Sequence, residues 1–106
     1  MAEEPRLRQD FVERFTIIAH ERLQRCLGFI PSDDPFVWRL LAAELYTLGG
    51  EAAMLRLGDL CDHAHSAEQE ARAVASHDAS VGIDRARGSL RKRIAGLRTL
   101  VDALDH

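Results

Sequence analysis

The sequence predicts an all-α fold, an antiparallel up-down-up-down four-helix bundle forming a single domain over residues 1–106. Three observations lead to it. Apolar residues recur at steps of three and four in four separate stretches, the spacing of a helix face. No stretch alternates apolar and polar residues as a half-buried strand would. Turn signals fall at Gly28 to Pro31, at Gly58-Asp59 and at Ser76 to Gly82. That leaves four helices of about 20 residues, each about 30 Å long, and short connections favour neighbours of opposite direction.

The first helix opens at Pro5. Leu7, Phe11, Phe15 and Ile18 make one apolar stripe, which Ala19, Leu23, Cys26 and Leu27 continue. Gly28 closes the segment, and Pro31 forbids continuation because it has no backbone N–H to give. Ser32-Asp33-Asp34-Pro35 then starts the second helix. Asp34 can cap it, and Pro35 suits the first helical position, where no N–H is needed. Phe36, Val37, Leu40, Leu41, Leu45 and Leu48 form a wide apolar face. Gly49-Gly50 interrupts good helix formers at a cost of about 1 kcal/mol per glycine against alanine. Such a pair marks a helix end or the close approach of another element. Helical character resumes at Glu51-Ala-Ala-Met-Leu55, so one helix is read through the pair, over 34–55.

Gly58 and Asp59 open the third helix. Its inward stripe is Leu57, Leu60, Ala64, Ala67, Ala71 and Val74, and the alanines allow tight packing. Ser76 to Gly82 is poor in helix formers and is read as the next turn. In the fourth helix Leu90, Ile94, Leu97, Val101 and Leu104 step by four, three, four and three, a bundle seam.

Composition bounds the function classes. The chain has 106 residues, enough for one core and too few for two ordinary domains. Hydrophobic content of 46% with 29% charged residues belongs to a globular chain and not a disordered one. A net charge of −3 does not call for nucleic acid over the whole surface. Cys26 and Cys61 stand in no metal or redox spacing and are expected as buried thiols, which suits a cytoplasmic location. Met1-Ala-Glu-Glu-Pro5 is acidic and polar, unlike a signal peptide. No apolar run approaches the roughly 20 residues of a membrane helix. No Ser/His/Asp set, phosphate loop or paired-carboxylate site stands out, so no enzyme activity and no cofactor are expected.

The stretch Glu44-Leu-Tyr-Thr-Leu-Gly-Gly-Glu-Ala-Ala-Met-Leu-Arg-Leu-Gly-Asp-Leu-Cys-Asp-His-Ala-His-Ser-Ala-Glu68 resembles histidine phosphotransfer domains. It looks most like the version at the N-terminus of chemotaxis-type histidine kinases. That family has a His-Thr-Leu-Lys-Gly core followed by Glu/Ser-Ala-Ala-Met-Leu-Gly-Leu, then a helix bearing Ala-His-x-x-Glu. The likeness covers Glu44 to Glu68, and the remainder matches in helix number and spacing. Gly50 matches the family glycine, which lets a partner or neighbouring helix come close. His65 and Glu68 match the Ala-His-x-x-Glu element, with Glu68 at the position that steadies the phospho-accepting imidazole. Tyr46 stands where the family has its phosphorylated histidine, and Gly49 stands where it has lysine.

Those two departures change the chemistry that the resemblance implies. The family passes a phosphoryl group reversibly between histidine and a receiver aspartate. An imidazole is largely neutral and nucleophilic near pH 7. A phenol, with a reference pKa of about 10, stays protonated, and its phosphate ester is a poor donor back to aspartate. Glycine supplies no cation for phosphate oxygens. The resemblance therefore implies a degenerate domain. It would dock a response-regulator receiver domain or a histidine kinase without phosphorylation at the usual position, through Tyr46, Gly50, Glu51, Met54, His65 and Glu68. One alternative is an active phosphotransfer protein using another histidine, His65 or His20. A second is a helical self-association module unrelated to phosphorelay.

Other features have plainer readings. His20 in Ala-His-Glu-Arg is faintly like the acceptor box of kinase dimerisation helices, but an ordinary surface histidine is preferred. His63 and His65 with Asp59 or Asp62 converge poorly on a metal, because residues two apart point to different sides of a helix, so no metal site is expected. Arg85, Arg87, Arg91, Lys92, Arg93 and Arg98 oppose the single Asp84. A solvated helix face is preferred there over a site for an acidic partner or nucleic acid, and no aromatic interleaves the charges. Phe36 is placed in the core. For Trp38, two positions on, core packing is preferred to an exposed partner surface.

Overall fold

The computed structural model describes residues 4–76 and 82–105, and the described chain is all-helical. Helix α1 spans Glu4–Phe29, α2 Pro35–Met54, α3 Gly58–Ser76 and α4 Ile83–Asp102, with a 3-10 turn at Ala103–Asp105. No described helix is long and apolar enough to cross a membrane. Each boundary has a local cause. Helix α1 runs one residue past Gly28 before turning at Ile30 and Pro31. Asp34 caps α2, its Oδ1 accepting from the Phe36 N–H at 2.9 Å, and Pro35 takes the first helical position. Helix α2 continues through Gly49-Gly50 and ends where Arg56 enters the left-handed region at φ 60. There the Leu57 N–H donates to the Ala52 carbonyl at 2.8 Å and the Arg56 N–H to the Ala53 carbonyl at 3.0 Å, the double closure of a Schellman end. Gly82, at φ 86, leads into α4. Most of the expected turn from Ser76 to Gly82, residues 77–81, lies outside the described residues.

The helices form a four-membered ring. Helix α1 packs on α2 and α4, α3 packs on α2 and α4, and no Cα atoms of the diagonal pairs come within 8 Å of each other among the described residues. The core is built on one seam per helix, with Ala42 and Ala75 beside them: Phe15, Ala19, Leu23, Cys26 and then Ile30; Trp38, Leu41, Leu45, Leu48 and Ala52; Leu60, Ala64, Ala67 and Ala71; Leu90, Ile94, Leu97 and Val101. The seam residues step by three and four, the spacing that keeps one stripe inward.

Some expectations about the core are corrected. Phe36, placed in the core by its sequence, is 60% exposed, whereas Trp38 is fully buried, as core packing required. Residues two apart cannot share a helix face, and the 3-4-3-4 seam of α2 starts at Trp38. Burial suits the indole because its N–H donates to the Ser32 carbonyl at 2.8 Å, so no polar group is stranded. Leu40 likewise lies on the exposed side. In α1 the inward stripe begins at Phe15, while Leu7, Phe11 and Ile18 are exposed. With 26 residues against 19 or 20 in the others, α1 begins before its neighbours can cover it.

Polar pairs tie the ring together. Arg22 bridges Glu44 at 3.0 Å and Glu51 at 2.9 Å, and Arg25 adds a second contact to Glu44 at 3.3 Å. Burial alone would raise the Glu44 carboxyl, but hydrogen bonds from Arg25 and Arg22 outweigh it and hold the group below the usual carboxylate range. Arg8 donates to the Leu55 carbonyl at 2.8 Å. His20 meets Asp102 at 3.0 Å and Arg98 meets Gln24 at 3.1 Å. At the far end Arg87 donates to the carbonyls of Ile30, Pro31 and Ser32 and pairs with Asp33 and Asp84, so α4 clamps the α1–α2 turn.

Candidate functional site

The close approach expected at the glycine pair belongs to Gly49. A Cβ built there would lie 3.5 Å from the Ala64 Cβ and 3.7 Å from the Cys61 carbonyl oxygen, whereas one on Gly50 would meet nothing within 4 Å. Gly49 with the Ala64, Ala67 and Ala71 stripe brings α2 and α3 together, and Gly50 opens to solvent. One turn on each side of Gly50 stand Tyr46, 64% exposed, and Met54, 85% exposed.

Between the two helices lies an open groove of about 450 Å³ whose lining includes Tyr46, Gly50, Glu51, Met54, His65 and Glu68. All six residues singled out in the sequence therefore share one surface feature. Sequence reasoning missed Leu45, Thr47, Gly49, Ala53 and Cys61, which complete the lining. Their signal was helical spacing, since Leu45, Gly49 and Ala53 step by four along one side of α2.

The six differ in what holds them. Glu51 turns toward α1, where Arg22 engages it at 2.9 Å. Glu68 is buried, with only 5% of its surface exposed. Its Oε2 accepts from the Arg72 Nε one turn on, a pair that the i,i+4 spacing could have disclosed. Its Oε1 has no hydrogen-bond partner among the described residues. His65 Nδ1 lies 3.3 Å from that oxygen, within ion-pair reach but without hydrogen-bond geometry. A buried acceptor left unsatisfied costs about 1–3 kcal/mol. The His65 ring is exposed, and its Nε2 sits 3.2 Å from Gln69 Nε2, so the amide N–H can donate to a ring nitrogen that is unprotonated.

Among the described residues no Lys or Arg lines the groove. Its two ionisable carboxylates are each balanced by an arginine reaching in from behind, Arg22 and Arg72. The surface is thus largely apolar with one free, buried carboxylate oxygen, which is poor chemistry for holding phosphate.

The remaining candidates are dispersed. His20 Nε2 is occupied by Asp102. His63 faces a different groove, between α3 and α4, with Lys92, Arg93 and Gly96. Among the described residues no group of three or more His, Cys, Asp and Glu could hold a metal ion. The basic stretch of α4 is largely spent on structure: Arg87 on the turn clamp, Arg93 on Glu70 at 2.8 Å and Arg98 on Gln24. Both cysteines are free thiols, Cys26 buried and Cys61 partly so. Burial pushes the Cys26 thiol up to about 12.

Comparison of the chain with family models, with curated proteins and with solved structures gave no match.

Proposed function

We propose that the chain is a degenerate histidine-phosphotransfer-like bundle that docks a receiver domain or a histidine kinase in the cytoplasm and takes no phosphate at the usual position. The observation that carries this reading is the convergence of Tyr46, Gly50, Glu51, Met54, His65 and Glu68 on one open groove. Exposed aromatic and methionine side chains beside a glycine are the elements of a contact surface. The proposal includes the antiparallel up-down-up-down order. Its support is the sense of the polar pairs: on α2, Leu55, Glu51 and Glu44 meet Arg8, Arg22 and Arg25 in turn, and on α4, Asp102, Arg98 and Arg87 meet His20, Gln24 and Ile30. Partner numbers fall as α1 numbers rise.

A second reading, phosphotransfer through His65, draws on the approach of its Nδ1 to Glu68. The absence of Lys and Arg from the groove lining among the described residues counts against it. One experiment separates the two. Receiver domains and histidine kinases of the source organism are tested for binding and for phosphoryl transfer to wild type, Tyr46→His and His65→Gln. The docking reading expects binding without label on wild type. Acid-labile label on wild type that His65→Gln abolishes would replace it with the second reading, and absence of binding to any partner would refute both.

A further inference from the structure

Every residue from Arg6 to Phe11 is exposed, and the first buried side chain described in α1 is Phe15. A short helix that packs against nothing is marginal in water. Yet this segment carries two large apolar side chains, Leu7 at 56% exposure and Phe11 at 48%. With Arg14 and Ile18, which are exposed as well, they form one stripe along α1. Beside the stripe, between α1 and the end of α2, runs an open groove of about 280 Å³ whose lining includes Phe11, Arg14, Ile18, Met54 and Leu55. Its apolar side chains reach solvent, Ile18 at 39% and Met54 at 85%. Adjoining exposed apolar side chains of this kind mark an interaction surface.

From these facts we propose that two copies of the chain associate through the start of α1, each laying its first turns in the α1–α2 groove of the other. The inference goes beyond the docking reading and does not depend on it. The stripe itself identifies the occupant. Leu7, Phe11, Arg14 and Ile18 step by four, three and four, the seam spacing of paired helices, and that order of steps is the same from either end. An antiparallel second copy therefore meets it layer for layer. Leu7 lies opposite Ile18 of the second copy and Phe11 opposite its Arg14, and each contact is made twice about a two-fold axis. Charge follows the same register. Arg14 stacks on the Phe11 ring of the second copy and comes within reach of the Asp10 carboxylate one position before it. Among the described residues neither Asp10 nor Arg14 has an ion-pair partner, so both are free for this contact. Two faces of about three turns bury less than the about 800 Å² per partner of a standard interface. The dimer is therefore reversible, with an expected dissociation constant of about 10–100 μM.

The test is sedimentation equilibrium of the full chain at concentrations up to about 1 mM, well above the expected constant. A monomer–dimer equilibrium that stops at the dimer is expected, because a two-fold contact closes on itself. Leu7→Asp should weaken it by about tenfold or more and leave the circular dichroism of the dilute chain unchanged, since Leu7 is exposed. Asp10→Arg and Arg14→Asp should each weaken the dimer, and the two changes together should restore it. With the wild type alone, amide exchange at the start of α1 should slow as concentration rises while the core seams stay as they were. A monomer at every concentration, association that runs past the dimer, a dimer indifferent to Leu7→Asp, a doubly reversed variant no tighter than the single ones, or exchange at α1 independent of concentration would overturn the proposal. No receiver or kinase takes part in these measurements. Loss of the dimer would leave the docking reading standing, and absence of docking would leave the dimer.

Discussion

Replacing Gly50 with alanine tests whether the groove floor is open. A Cβ at Gly50 would meet no heavy atom within 4 Å, and the backbone there is outside the positive-φ region. The substitution therefore adds helix propensity and removes nothing, a gain of about 1 kcal/mol. For a domain of this size that is a rise in Tm of about 4–8 °C. Gly49→Ala should also stabilise, by no more than the same amount, because its Cβ would make ordinary contact with Ala64 at 3.5 Å and the Cys61 carbonyl at 3.7 Å. Gly49→Leu pushes a branched chain into α3 and should lose about 1–3 kcal/mol. The assay is thermal and urea unfolding followed by circular dichroism, with equal m-values required for comparison. A fall in Tm for Gly50→Ala would refute the reasoning, since residue 50 would then face a neighbour and the groove would lack its open floor.

Other outcomes follow from the same geometry. Trp38→Ala should destabilise by about 3–5 kcal/mol and Phe36→Ser by no more than about 0.5 kcal/mol, checked by urea unfolding; equal effects would contradict the assigned α2 seam. Arg56→Gly should stabilise by about 1 kcal/mol, because Arg56 occupies the left-handed position at φ 60. A thiol reagent should modify Cys61 first and Cys26 only as the bundle opens, given their partial and full burial. With pH the signs differ. The Cys26 thiol is raised to about 12 in the fold, so its contribution is full below its unfolded value near 9 and is lost as pH climbs toward 12. Glu44 is depressed in the fold, so its contribution is full above the usual carboxylate range and is lost as pH falls through the lowered value. Unfolding curves for Cys26→Ala and Glu44→Gln should each flatten the matching limb.

Much of this structure was readable before any coordinates. The Asp34-Pro35 start, the helix through Gly49-Gly50 and the α4 seam each rest on a local signal that tertiary context did not override. The Phe36 assignment needed more. Phe36 and Trp38 are both large and apolar; the α2 seam takes Trp38, whose indole N–H finds the Ser32 carbonyl held by the preceding turn, and leaves Phe36 outside. The α1 stripe was overread at Leu7 and Phe11 because periodicity reports a face and not whether another helix reaches it. At the groove, the resemblance gathered six residues, but it could not show that Glu51 leans on Arg22 or that Glu68 keeps an oxygen free. Those facts depend on the order of the helices around the ring.

The alanine-and-glycine seam between α2 and α3 has a mechanical consequence. Gly49, Ala64, Ala67 and Ala71 carry no side-chain torsions to rearrange, so the two helices that wall the groove form a stiff plate, while the first turns of α1 stand clear of the core. Amide hydrogen exchange should be slowest along this seam and fastest at the start of α1. A surface already rigid before contact loses little conformational entropy when something settles on it.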